Sequence, residues 1–184
     1  MQNALLLALF SFTIFLGTVF EFPIPGTTIM QTGQTIAVLC AGALLGPRLG
    51  IASVGLYLLL GALGLPIFSE GGSGVQVFVA PSGGYLAGFA IAAFAMGCWA
   101  RGGLMRAPLT SLAGMLLGHA IILVCGWLWM SVLMGSHAAY ANGIAPFYLG
   151  SSVKSALAAL LVVCIQHLVP IGGRALWRKG QPTA

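Results

Sequence analysis

The chain has no aspartate, and its only acids are Glu21 and Glu70. Charged residues of both signs make up 5% of the 184 positions, against about 25% in a soluble globular domain. With 59% hydrophobic residues and a mean hydropathy of +1.05, the chain cannot cover a water-facing surface. It reads as an all-α membrane protein. Two isolated acids also leave no paired carboxylates for acid–base work, and no nucleophile–base–acid set accompanies them. No G-x-x-x-x-G-K-[ST] phosphate loop occurs, so the chain does not hydrolyse ATP by itself. The expectation is a binding protein, not an enzyme, with no cofactor. Four cysteines, Cys40, Cys98, Cys125 and Cys164, lie singly in apolar runs. Without C-x-x-C or zinc spacing they predict neither a disulfide nor a metal site.

What charge there is has an order. A membrane helix needs roughly 20 apolar residues, and the charges cut the chain into pieces of about that size. Six spans are expected, at about 3–20, 29–46, 48–64, 82–100, 108–134 and 150–170, in a single domain over 1–184. The first is too continuous with the rest to be a cleaved signal peptide. Arg48, Arg101 and Arg106, and then Arg174, Arg178 and Lys179, fall on one side of such an arrangement. The positive-inside bias makes that side, and both termini, cytoplasmic. The pI of about 9.4 therefore marks orientation among membrane lipids and not a nucleic-acid partner. Lys154 is the basic exception on the outer side, which also gathers Glu21, Glu70 and the irregular segments 21–33, 65–81 and 135–149. This asymmetry predicts an outward pocket capped by loops; variable connections are the plainer alternative.

The stretch from Gly64 to Phe89, GLPIFSEGGSGVQVFVAPSGGYLAGF, is the focus of that side. Its glycines and prolines preclude one continuous helix between two apolar flanks. It is read as a binding segment or as a surface turn. Lys154 at membrane depth is a functional candidate, suited to a carboxylate, unless it snorkels to the interface. Ser151 lies one helical turn before it on the same face. Gln31, Thr32, Gln34 and Thr35 form a polar cluster whose amides can read a urea-like ligand or tie helices together. Tyr85 walls a pocket or anchors the interface, and Glu70 pairs with Lys154 or is solvated. His119 reads as a helix–helix hydrogen bonder, and Trp99, Trp127, Trp129 and Trp177 as lipid or interface residues. The spacing Ala4-x-x-x-Ala8, continued by Ser11, gives the first span a smooth face for another helix, from a partner or from this protein itself.

Taken together, GQTIAVLCAGALLGPRLG (33–50), YLLLGALGLPIF (57–68), GGSG and PSGGYLAGF (81–89) resemble the BioY family. The likeness is strong over about residues 23–100 and weaker in the last span. These are biotin-binding substrate-capture (S) components of energy-coupling factor (ECF) vitamin transporters. The resemblance implies six membrane helices and biotin held near the outer side. It implies a transmembrane coupling subunit and two ATPase subunits as partners in the bacterial cell membrane, and release by toppling of the capture component. The Ala4–Ala8 face is similar to the one such components present to the coupling subunit. Lys154, Ser151, Gln34, Ser73 and Tyr85 are the expected substrate-binding residues. The family's Pro-Gly-Asp-x-x-Lys in the last span stands here as Leu149-Gly150-Ser151-Ser152-Val153-Lys154. Ser151 thus offers a hydroxyl where a carboxylate is usual, and Glu70 stands where glycine is more frequent. Another small carboxylated vitamin or a cyclic urea is the alternative ligand; a membrane enzyme or assembly factor is the alternative of another class.

Overall fold

The fold is set by one helix that cannot run straight. The computed structural model describes residues 2–24, 27 and 29–168. In chain order these form α1 (Gln2–Val19), strands β1 (Glu21–Phe22) and β2 (Gln31–Thr32), α2 (Gln34–Ala62), α3 (Gln76–Val79), α4 (Gly83–Arg101), α5 (Pro108–Met134), α6 (Ser136–Gly143) and α7 (Tyr148–Leu168). Short 3-10 turns at Ser69–Gly71 and Ala145–Phe147 punctuate the connections.

α2 is interrupted at Gly46, where φ is 80° and ψ 176°. Pro47 follows, with no amide hydrogen to continue the helix and a ring that keeps its predecessor extended. Only glycine occupies that backbone region readily. The chain therefore doubles back, and α2 becomes two arms, 34–45 and 47–62. The proof lies in contacts that a straight helix forbids. Gln34 hydrogen-bonds the Tyr57 hydroxyl, 23 residues on, which along one continuous helix would be about 35 Å away. A β-carbon built at Gly50 would lie 2.8 Å from the Gly42 Cα.

Counted whole, α2 is one of five helical stretches among the described residues that are long and apolar enough to cross a membrane. Counted as two arms it makes six rods, the number expected from the charges. The spans at 82–100 and 108–134 coincide with α4 and α5 to within a residue. The expected second span does not begin at 29. Residues Gln31–Thr32 pair with Glu21–Phe22 in a two-stranded antiparallel ribbon, and helix starts only at Gln34. The segment 135–149, expected as loop, contains α6 and the turn before α7. The end of the last expected span, and Arg174, Trp177, Arg178 and Lys179, lie outside the described residues.

Helices in lipid gain little from burying apolar surface and associate by close packing of small residues. α4 lies across the α2 hairpin in this way: β-carbons at Gly42 and Gly97 would meet the backbone of Ala93 and Pro47 at 2.2 Å. The same contact brings the α2 turn, with Arg48, to the end of the molecule where α4 leads into the Arg101–Arg106 connection. The ribbon, the 65–81 connection and α6 gather at the other end. There Glu21 accepts from Ser69 Oγ at 2.7 Å, and Thr27 Oγ1 donates to the Asn142 carbonyl at 2.6 Å.

On α1, Ala4 and Ala8 are exposed. Ser11, about two turns on from Ala4 and so on the same side of α1, is buried, and its hydroxyl donates to the Ser53 carbonyl at 2.7 Å. At that level the face packs inside the protein, against the second arm of α2, where a hydroxyl among apolar helices needs an acceptor.

The turn is testable. Gly46→Ala should cost about 1–3 kcal/mol and lower the melting temperature in detergent. Gly55→Ala, where an added β-carbon meets nothing within 4 Å, should leave it unchanged or slightly raised. Equal melting temperatures for the two variants would contradict a glycine-dependent reversal.

Candidate functional site

At the ribbon end of the bundle lies a cavity of about 320 Å³, within the range of small-molecule sites. Its walls are largely apolar: Phe68 and Val77 from the 65–81 connection, Leu86 and Phe89 from α4, Ile122 and Leu123 from α5, and Phe147 before α7. The aromatic side is braced edge-to-face. Tyr57 meets Phe68 with ring centroids 5.5 Å apart, and Phe68 meets Phe78 at 5.7 Å.

The polar groups divide into those already engaged and those left open. Gln34 is engaged at both ends of its amide. Its Nε2 donates to the Tyr57 hydroxyl, and its Oε1 accepts from Thr32 Oγ1 at 3.0 Å. Tyr57 in turn donates to the Ile67 carbonyl at 3.0 Å, which ties the start of the connection to α2. His119 is buried among three helices. Its Nε2 lies 3.0 Å from Thr35 Oγ1 on α2, and its Nδ1 2.8 Å from Ser155 Oγ on α7. Ser155 Oγ also donates to the Ser151 carbonyl at 2.8 Å. Tyr85 donates its hydroxyl to the Gly143 carbonyl at 2.6 Å, and its ring fits over Gly126, where a β-carbon would come within 2.3 Å.

Lys154 is only partly engaged. Its Nζ donates to the Thr32 carbonyl at 3.1 Å, which leaves two of an ammonium's three donors. Ser151 Oγ has no hydrogen-bond partner among the described residues. On α7 it differs from Ser152 and Ser155, whose hydroxyls bond back to carbonyls one turn earlier. An apolar chamber with a partly satisfied cation and an open hydroxyl, one helical turn apart, suits a small, mostly apolar molecule bearing an anionic or carbonyl group.

Of the residues expected from the sequence, Lys154, Ser151, Gln34 and Tyr85 all line this cavity, and Ser73 does not. Ser73 lies in the 65–81 connection, where its carbonyl accepts from Gln76 Nε2. Glu70 lines the mouth but forms no ion pair with Lys154. Its backbone amide donates to the Glu21 carboxylate at 2.9 Å, which directs the turn toward the ribbon. His119 ties helices together as expected and also lines the cavity. Trp99 and Trp129 are more than lipid-facing rings, since their indole N–H groups bond the Thr110 and Ala80 carbonyls. Gln31, Phe68 and Phe147 were not singled out from the sequence as individual site residues. Gln31 belonged to a recognised polar cluster, but the strand register that turns it to the cavity leaves no spacing signal. Phe68 and Phe147 lie in irregular segments without periodicity.

The BioY family model matches residues 1–171. A probable biotin transporter BioY of Pyrococcus horikoshii is 38% identical over 135 residues, 73% of this chain and 79% of that protein. The biotin transporter BioY of Rhodobacter capsulatus is 32% identical over 183 residues, 92% of this chain and 95% of that one. Among solved structures, the S-component for biotin from an ECF-type ABC transporter superposes with a TM-score of 0.82. That match has 25% identity and covers 90% of this chain and 91% of the other.

The Gln34–Tyr57 bond should be among the stronger single contributors to the site's geometry. Tyr57→Phe keeps the ring but leaves the Gln34 amide and the Ile67 carbonyl short of a partner, at a cost of about 1–3 kcal/mol. A lowered melting temperature in detergent is expected. An unchanged one would show that the arms are held without this bond.

Proposed function

The chain belongs to the BioY family, and we propose that it takes up biotin as the substrate-binding component of an energy-coupling factor transporter. It is a multi-pass protein of the cell membrane. The observation that carries the ligand assignment is the cavity's division of labour: apolar walls, a partly free lysine and an open hydroxyl one helical turn from it. Biotin has matching parts, a fused ring system with a thioether and an aliphatic chain, a cyclic urea and a carboxylate. Lys154 meets an anionic or carbonyl group of the ligand. Ser151 supplies a hydrogen bond, and Tyr85 supplies a wall. Gln34, with both ends of its amide engaged, shapes the site instead of reading the ligand. Ser73, outside the lining, acts on the loop and not on the ligand.

Binding followed by release needs no chemistry on the ligand. The chain lacks a phosphate loop, so energy for release comes from a coupling membrane subunit and ATPase subunits. The exposed Ala4–Ala8 face of α1 offers a second helix close backbone approach. The cavity end faces outward, and the arginine-bearing end faces the cytoplasm.

The first test is mass spectrometry of ligand released from protein purified in detergent, followed by biotin titration on tryptophan fluorescence. Stoichiometric biotin is expected; neither endogenous biotin nor a response to added biotin would overturn the assignment. Lys154→Ala should weaken binding about tenfold to a hundredfold, the range of a lost hydrogen bond to a charged group. Lys154→Met, which keeps most of the side-chain volume, should do the same. Unchanged affinity in both would remove Lys154 from the site.

A further inference from the structure

The cavity contains a second amide, and unlike Gln34 it is unengaged. Gln31, in β2, lines the cavity, and its side chain has no hydrogen-bond partner among the described residues. Its carboxamide lies against the backbone of α7 at Gly150. A β-carbon built there would fall 1.5 Å from Gln31 Nε2 and 2.6 Å from Oε1. The seat therefore exists only because residue 150 is glycine. Next along α7 is Ser151 with its open hydroxyl, and one turn from Gly150 is Lys154, whose bond to the Thr32 carbonyl fixes the strand that carries Gln31.

We infer that Gln31, seated on Gly150, is the specificity-determining residue for the urea of the ligand. A primary carboxamide carries an acceptor and donors. A cyclic urea presents an N–H and the C=O side by side, so the two pair through two hydrogen bonds, N–H to Oε1 and Nε2–H to the urea oxygen. Ser151 Oγ, beside that seat, accepts the second urea N–H. Gln34 is the poorer candidate because one bond at each end of its amide holds it in its present orientation toward Tyr57 and Thr32. The inference rests on the biotin reading of the same cavity and adds to it the residue that recognises the ring.

The test compares biotin with biotinol, which keeps the urea and lacks the carboxylate, and with 2-iminobiotin, whose urea oxygen is replaced by an imino nitrogen. Gln31→Ala should weaken biotin and biotinol alike by about tenfold and shrink the preference for biotin over 2-iminobiotin. Gly150→Ala should have the same effect by displacing the carboxamide. Its melting temperature should not fall, since alanine favours a helix over glycine and the obstructing side chain can swing away. In the double variant the two losses should not add, because removing Gln31 leaves nothing for the new methyl group to displace. A wild-type protein that fails to bind biotin would overturn the biotin reading and this inference together. A wild-type protein that binds biotin, with Gln31→Ala within twofold of it or with equal losses for biotin and 2-iminobiotin, would overturn this inference alone.

Discussion

The reversal of α2 at Gly46–Pro47 is the constraint on which the rest of the structure depends. Without it Gln34 and Tyr57 would stand at opposite ends of a rod, and the cavity wall would lose the brace that Tyr57 gives to Gln34 and Phe68. With it, the start of one arm and the end of the other meet at the same membrane face, and the segments that follow each arm meet there too. α4 can then lie across the hairpin at backbone distance, because Gly42 and Gly97 carry no side chains. That contact fixes where α4 begins, and so where Tyr85 enters the site.

A second constraint is the solvent. Inside a bilayer an unpaired polar group costs several kcal/mol, and every hydroxyl or amide in the bundle has to be met from within the protein or from a cavity. The arrangement here satisfies most of them internally: Ser11 by Ser53, Thr35 by His119, and Ser155 by the Ser151 carbonyl. Each of these bonds also joins helices or turns, so satisfaction and architecture are the same interactions. The few groups left open lie where a ligand can reach them. A carrier needs such economy. Enough free donors and acceptors are needed to choose a ligand, but too many would hold it against release.

Much of this was legible in the chain, and the reasons divide cleanly. Membrane class followed from the near absence of acids, and the span count from the spacing of the charges that remain. Both are properties of composition and length, which lipid enforces directly. Lys154 and Ser151 were legible because helical periodicity puts residues three apart on one face. The short first arm of α2 was not. Residues 29–33 are as free of charge as a span, and only their pairing with β1 keeps them from being one. Ser11 was placed on the Ala4–Ala8 side by spacing, and seven residues, about two turns, do return it there; spacing could not show that the second arm of α2 covers the face at that level, through Ser53. The choice between Gln31 and Gln34 was not legible at all, since it depends on which amide finds partners in other elements.

In the proposed site Lys154 serves both the scaffold and the ligand. An ammonium has three donors, and a lysine with none engaged would sweep its long chain through many rotamers. Ordering it on binding would then cost up to about 2 kcal/mol. Here one donor is engaged by the Thr32 carbonyl at 3.1 Å, so most of that ordering is already done before a ligand arrives. The same bond joins α7 to β2. β2 pairs with β1, and Glu21 of β1 holds the Ser69–Gly71 turn at the cavity mouth. The cation, the ribbon and the mouth thus form one hydrogen-bonded chain. A ligand that takes the two remaining donors need not break it. In the proposed complex it meets a lysine already aimed, beneath a roof anchored by the same residue.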